Sequence, residues 1–296
     1  MRDGLLLIAD THVNSTTGLC PPEGIELDDG GRYQPSKAQR WLWQCYQDVL
    51  ADAAQLATTC DRFMVWFLGD LVDKIGKGTQ LVTYNDPAIV AAGVAIVEAA
   101  QPLASCGVGI IRGTSAHVGD SGALEEAVAK AVGARPYPPD SGRSSSWNAK
   151  LDLQGRIIWL AHHGRVGGLP HTKLNALGNV CYAAIDEAIQ NGEPLPALVA
   201  MAHTHHKADT HDEYPVRVVQ APSFQLTTEH GNRIKPFRTL PIGGALVVVD
   251  DGRLDVTFKL FRPTPEGAYC PTTESTSPRP SLSRPSSTPN QAEQLI

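Results

Sequence analysis

The chain has 296 residues, 42% of them apolar and 19% charged, with 25 Lys+Arg against 31 Asp+Glu and a formal charge of −6. That length suits one large domain or two small ones with a sizeable core, and the acidic balance gives no overall basic field to recruit nucleic acid. No run approaches the roughly 18 uninterrupted apolar residues of a membrane helix, and the apolar start at residues 5–9 is shorter than the roughly 7–15 of a signal peptide, so the expectation is a cytoplasmic chain with no membrane partner.

Short apolar runs alternate with helical patterns. Residues 5–9, 63–68, 108–111, 157–161, 198–202 and 216–220 read as strands by length and flanking punctuation. Ser36 caps a helix whose apolar stripe is Leu42, Cys45, Val49, Ala53 and Leu56. Pro87 suits the first turn of a second helix running to about residue 104, and Asp120 or Ser121 starts a third, with Glu125 and Glu126 near its positive end. A fourth covers about residues 172–190 and stops near Gly192. Residues 245–249 and 254–261 flank Asp250-Asp251-Gly252-Arg253, a hairpin turn in which Gly252 supplies positive φ. The order predicts an α/β layered domain of mixed sheets flanked by helices over residues 1–262.

From 263 to 296 the composition changes: 18 of 34 residues are Pro, Ser or Thr, too few of them apolar to offset ordering entropy, so this segment is predicted to be a disordered tail. The six cysteines show no CxxC spacing and read as reduced thiols, most of them in the core.

The chemistry lies at the strand ends. Asp10-Thr11-His12 follows the first strand and Gly69-Asp70-Leu71-Val72-Asp73 the second. Gly113-Thr114-Ser115-Ala116-His117 follows the third, His162-His163-Gly164 the fourth, and His203-Thr204-His205-His206 the fifth. Alone, each is a strand-end cap or a satisfied histidine. Five coincidences at the carboxyl ends of five strands, where sites form in open α/β sheets, argue that the loops converge. Carboxylate with imidazole suits Mn, Fe, Zn or Co better than Ca or Cu(I). Residues 21–33 form a long loop after the first ligand pair, placed to border a substrate entrance.

In this order the motifs resemble the calcineurin-like metallophosphoesterases, whose signature reads DxH, GDxxD, GNH(D/E), a strand-end His and GHxH. The resemblance spans about residues 4–206 and implies a four-layer αββα fold. It implies two divalent metals, Mn the best support for activity. Asp10, His12 and His205 would hold the first with Asp70. Thr114, His162 or His163, and His203 would join Asp70 on the second. The implied reaction is hydrolysis of a phosphate ester, a phosphodiester preferred, by metal-activated hydroxide, with Asp70 bridging the ions and His117 as proton donor to the leaving oxygen.

Two departures stand out. Thr114 takes the place of the family's Asn, and His117 comes three residues later instead of directly, a GTxxH variant similar to phage-borne members. A looser second site is the expected consequence. Of adjacent His162 and His163 only one can face the site, His162 being slightly favoured. Asp73 is expected to order its loop. Arg112, Arg143, Arg165 and Lys173 could clamp phosphate oxygens, Arg165 foremost because it follows His163-Gly164.

The expected partner is a small phosphate ester or nucleotide. Alternatives are a nuclease on DNA or RNA, against which the acidic balance stands, and a degenerate, non-catalytic metal- or partner-binding member. A metallo-β-lactamase-like hydrolase is rejected, because Lys207 follows His203–His206 where its HxHxDH needs other residues. The physiological ester and the oligomeric state are not written in the sequence.

Overall fold

The computed structural model of the chain describes residues 1–74, 80–164, 172, 174–234 and 239–263. Arg165, Lys173 and all but the first residue of the expected tail lie outside the described residues. Met1–Pro263 forms one compact unit.

Side-chain alternation sorts the strands into layers. In β1 (Arg2–Ile8), Leu6 and Ile8 enter one apolar layer while Leu5 and Leu7 enter another. β4 (Arg62–Phe67) divides likewise, with Phe63, Val65 and Phe67 on the first side and Trp66 on the second. A sheet that is apolar on both faces has to be covered on both. β1, β4 and β5 (Val108–Ile110) run parallel, and β11 (Ile242–Asp250) and β12 (Arg253–Phe261) add antiparallel, in the order β12-β11-β1-β4-β5. The second sheet has the order β6-β7-β8-β10-β9. Its β7 (Arg156–His163), β8 (Leu198–Ala202) and β10 (Arg217–Gln220) are parallel, with β6 (Asn148–Leu153) and β9 (Ala208–Asp209) antiparallel at the edges.

Helices cover the outer faces. α1 (Lys37–Ala57) starts in a capping box, Ser36 accepting from the Gln39 amide and Gln39 returning to the Ser36 amide, so two otherwise orphaned donors are satisfied. Its Leu42, Val49 and Ala53 pack on the first sheet with Ile89, Ile96 and Val97 of α2 (Asp86–Ala100) and Val128 of α4 (Ala123–Ala131). The Tyr46 hydroxyl donates to the Ile96 carbonyl at 2.7 Å and ties α1 to α2. α5 (Asn175–Gln190) places Leu177 and Cys181 over Val199 and Val218 of the second sheet. Between the sheets lie Leu5, Leu7, Trp66, Ile158, Leu160, Leu198 and Val247. Three apolar layers separate helices, sheet, sheet and helix, which is the αββα layering expected. Truncating Phe67, fully buried, to alanine is expected to cost about 3–5 kcal/mol.

Several boundaries differ from expectation. The helix anticipated at Asp120 or Ser121 comes after a single turn, α3 (Ser115–Val118), and begins as a 3-10 turn, because Ser121 and Gly122 have φ of +59° and +68°, becoming α-helical only at Ala123. The loop at residues 21–33 contains a small hairpin of β2 (Ile25–Glu26) and β3 (Arg32–Tyr33), whose Ile25 joins the first apolar layer with Ala88 and Ala92 of α2. Residues 86–103 are apolar and long enough, by composition, to cross a membrane, at a mean hydropathy of 1.2; here the span carries core residues Ile89, Ile96 and Val97.

The parallel strands end level. Ile8 pairs with Phe67, and His163 with Ala202. Ala9, Leu68 and Ile111 at one set of ends pack with Ala202 and Ala221 at the other, so the loops that follow meet at one edge of the sandwich.

Candidate metal centre

The loops after β1 and β4 are zipped together by their backbones. Asp10 N donates to Gly69 O (3.1 Å), His12 N to Asp70 O (3.0 Å), Val13 N to Leu71 O (2.9 Å) and Asp73 N to Val13 O (2.7 Å). Ten non-glycine residues among those described have positive φ, and five are Asp10, His12, Asp70, His203 and His205. Such left-handed backbone costs of order 1–3 kcal/mol at each position and persists where surrounding structure enforces it. Strain is therefore concentrated on the strand-end ligand types. Space is equally constrained: a Cβ on Gly113 would lie 2.1 Å from Asp70 Oδ1, and one on Gly69, where φ is +88°, 2.7 Å from His162 Nδ1.

The side chains gather into three adjoining groups, each within 4.8 Å: Asp10, His12 and His205; Asp70, His162 and His203; and His12, Asp73 and His117. In the first, His205 Nε2 lies 3.5 Å from Asp10 Oδ1 and 3.2 Å from His12 Nε2. In the second, His162 Nε2 faces Asp70 Oδ2 at 3.0 Å and His203 Nδ1 faces it at 3.9 Å. His162 Nδ1 donates to the Leu68 carbonyl at 2.7 Å, which fixes the tautomer and leaves the Nε2 lone pair for the site. Asp10 Oδ2 accepts from His203 N at 3.1 Å and so links the first two groups. In the third, Asp73 Oδ1 meets His117 Nδ1 at 2.5 Å and Oδ2 meets His12 Nδ1 at 3.3 Å.

Ionisation follows from this packing. Burial pushes Asp10 up to about 6, against the pull of His162 and with Asp70 adding to the rise. Burial also opposes the ionised form of Asp70, but the imidazoles of His162 and His203 hold it well below the usual carboxylate range. Asp73, buried yet flanked by His12 and His117, is lowered to about 2. Burial would depress His12, but Asp73, then Asp70 and Asp10, lift it to about 9; Asp70 does the same for His162. His205, buried beside His12, is held well below its ordinary value and stays neutral.

The donor set fits divalent metal. Asp10 Oδ1, His162 Nε2 and His203 Nδ1 are buried without a hydrogen bond, an arrangement that is costly unless something else satisfies them. They sit among carboxylates and imidazoles, the ligand types of first-row divalent ions. The protons on His12 and His162 occupy the place a cation would take, so metal and protons compete for the same lone pairs.

The structure separates several expected residues. His162 is buried and in the second group; His163 is exposed and outside all three, its ring 5.1 Å from that of His162 and 5.2 Å from that of His203. Thr114 stands against Asp70, its amide 2.7 Å from Oδ1 and its hydroxyl 2.8 Å from both carboxylate oxygens, so that it holds Asp70 in place. Arg112 is buried and each of its nitrogens is engaged within the fold, Nε on Ser145 Oγ (2.8 Å), Nη1 on Ser121 O (3.1 Å) and Nη2 on Glu126 Oε2 (2.9 Å), so it is held as a structural cation. Arg143 is exposed, away from these contacts.

Two residues the motifs did not single out for the site matter to it. Asp73 serves both His12 and His117. Glu125, fully buried on α4, accepts from Leu71 N (2.9 Å) and Gly113 N (2.6 Å), so one carboxylate joins the Asp70 loop to the Thr114 loop. Burial and the nearby Asp70 charge push it up to about 7.

No family model matches the sequence, and no curated protein matches it. Among solved structures the chain is similar to a dimetal phosphatase from Danio rerio, at 12% identity and a TM-score of 0.45, covering 88% of this chain and 95% of that one. It is also similar to vacuolar protein sorting 29 from Cryptosporidium parvum, at 13% identity and a TM-score of 0.40, covering 88% and 99%. A novel archaeal phosphodiesterase is similar at 7% identity and a TM-score of 0.37, covering 87% and 99%.

Proposed function

We propose that the chain is a phosphoesterase that works with two divalent metal ions, Mn the best suited to support activity, on a small phosphate ester or nucleotide. The observation that carries this reading is the pair of adjoining groups, Asp10/His12/His205 and Asp70/His162/His203, four of the six residues buried, whose Asp10 Oδ1, His162 Nε2 and His203 Nδ1 lack hydrogen bonds. Asp10, His12 and His205 would hold one ion, His162 and His203 the other, and Asp70 both. Bound there, the ions supply Lewis acidity, lowering the pKa of water and offsetting phosphate charge in an in-line displacement.

The chain's own residues set up the rest. Thr114 fixes the rotation of Asp70 through two donors. Asp73 orients His12 and, at 2.5 Å, holds His117 Nδ1, so that Nε2 is left to face the leaving oxygen as proton donor. Arg165 would contact the substrate phosphate, following His163-Gly164 in the chain. The preference for a phosphodiester rests on the GHxH-like end of the motif series.

The test is metal analysis of the purified chain, paired with Mn²⁺-dependent hydrolysis of bis(p-nitrophenyl) phosphate. Two metal equivalents and turnover are expected, with Asp70→Asn losing turnover and bound metal together. One equivalent and no turnover on any mono- or diester would replace this reading with that of a metal-binding protein without catalysis.

A further inference from the structure

β12 is the outermost strand of the first sheet, nine residues long, paired to β11 without a register shift, and no described residue pairs with its other side. The two-residue turn has φ of +46° at Asp251 and +76° at Gly252, a type I′ geometry. Asp250 and Arg253 therefore close the hairpin as a hydrogen-bonded pair. The odd positions of β12 bond to β11, while the N–H and C=O groups of Leu254, Val256, Phe258 and Leu260 point away from the sheet.

Such an edge is ordinarily blunted by proline, a bulge or charged side chains, lysine above all. β12 has neither proline nor bulge, and its charges do not repel a copy of themselves. Laid antiparallel on a second copy with Thr257 opposite Thr257, Asp255 faces Lys259 of the second copy, and the symmetry makes this pair twice. On the other face Leu254 meets Leu260 and Val256 meets Phe258, so every outward-pointing backbone group opposes another, as a hydrogen-bonded ladder requires. Neighbouring registers lose this. One step toward the turn sets Arg253 against Lys259, two steps set Asp255 against Asp255, and one step the other way leaves Asp255 opposite Phe261. The groups are accessible: the side chains of Asp255 and Lys259 are 59% and 37% exposed, and Leu260 is 39% exposed. Lys259 touches Asp52 of α1 at 2.8 Å on the same face, where a second carboxylate can join it.

We propose that β12 is a homotypic pairing edge, through which two copies of this chain join antiparallel and extend two five-stranded sheets into one of ten. The contact is a strand about 30 Å long, smaller than an obligate interface, so the dimer forms and dissociates with concentration.

Sedimentation equilibrium of the full chain over a concentration series tests this, with Asp255→Lys and Lys259→Glu as variants. Each variant places two like-charged pairs in its own homodimer and is expected to dimerise about tenfold or more weakly. An equimolar mixture of the two restores both opposite-charge pairs, so dimer returns only on mixing. A wild-type chain that stays monomeric throughout, a dimer that neither variant weakens, or weakened variants that mixing does not rescue would each overturn the proposal.

Discussion

His117 reaches the site through Asp73. The carboxylate lies 2.5 Å from Nδ1, is itself fully buried and is lowered to about 2 by His12 and His117, so it stays ionised near neutral pH and holds the ring in place. An acid of this kind matters in proportion to how poorly the leaving group departs by itself. His117→Ala is therefore expected to slow a diester with an alkoxide leaving group by about 10²–10⁴-fold, and bis(p-nitrophenyl) phosphate far less, since p-nitrophenolate leaves without a proton. Comparing the two rates in wild type and variant checks this; equal losses on both esters would remove His117 from the role of acid. Asp73→Asn is the less clean probe, because its other oxygen touches His12 at 3.3 Å. Much of this was legible in the sequence: Asp10, His12, Asp70, His203 and His205 stand at strand ends in a recognisable order. The choice between His162 and His163 was not, because it depends on the Leu68 carbonyl, 94 residues away in the chain, which fixes the His162 tautomer. Nor was the double duty of Asp73, which needs two loops brought together before it exists.

At the scale of elements, the β1, β4 and β5 loops are held in mutual register by α4. Glu125 projects from its first turn, and each carboxylate oxygen takes one backbone amide, of Leu71 and of Gly113. Glutamine offers one acceptor oxygen where two are used, so Glu125→Gln frees one of the loops. Outer-shell partners of this kind are worth about 10–100-fold in metal affinity or activity, and a loss in that range with an intact fold is expected. The metal-free protein has a second readout. The folded chain raises Glu125 from 4.5 to about 7 through burial and Asp70. Its contribution to stability is thus full below the unfolded value and is lost as pH rises through about 7. Glu125→Gln abolishes that loss, so chemical denaturation should show the variant gaining on wild type between those pH values, by on the order of 3 kcal/mol; a gap independent of pH would show that Glu125 does not titrate there. In the sequence Glu125 looks like an ordinary favourable charge in a helix's first turn. The strands β1, β4, β8 and the β11–β12 hairpin were readable as apolar runs with punctuation, and α1 from its cap and stripe. β6, β2 and β9 were not, because the first alternates with charged residues and the others are two residues long, held by their neighbours instead of by their own pattern.

The two sheets meet in an apolar layer along their length and in a polar one at the strand ends, and the first two metal-type groups each draw on both sheets. Asp10 and His12 follow β1 of the first sheet while His205 follows β8 of the second; Asp70 follows β4, whereas His162 lies at the end of β7 and His203 after β8. A cation held by either group therefore fastens one sheet to the other, and a chain with one sheet detached cannot bind it in the same way. Binding to the folded state alone raises stability by about 2.7 kcal/mol at a hundred times the dissociation constant. In a domain of this size each kcal/mol moves the melting temperature by roughly 2–4 °C. Mn²⁺ in such excess is therefore expected to raise the melting temperature by about 5–10 °C over protein stripped with a chelator, in a single sharpened transition because both sheets are bound to the same ions. Asp70→Asn, which removes the carboxylate proposed to serve both ions, should melt alike with and without metal. Differential scanning calorimetry on the four samples decides it: identical melting of wild-type protein with and without metal would mean that the strand-end groups do not join the sheets through a cation.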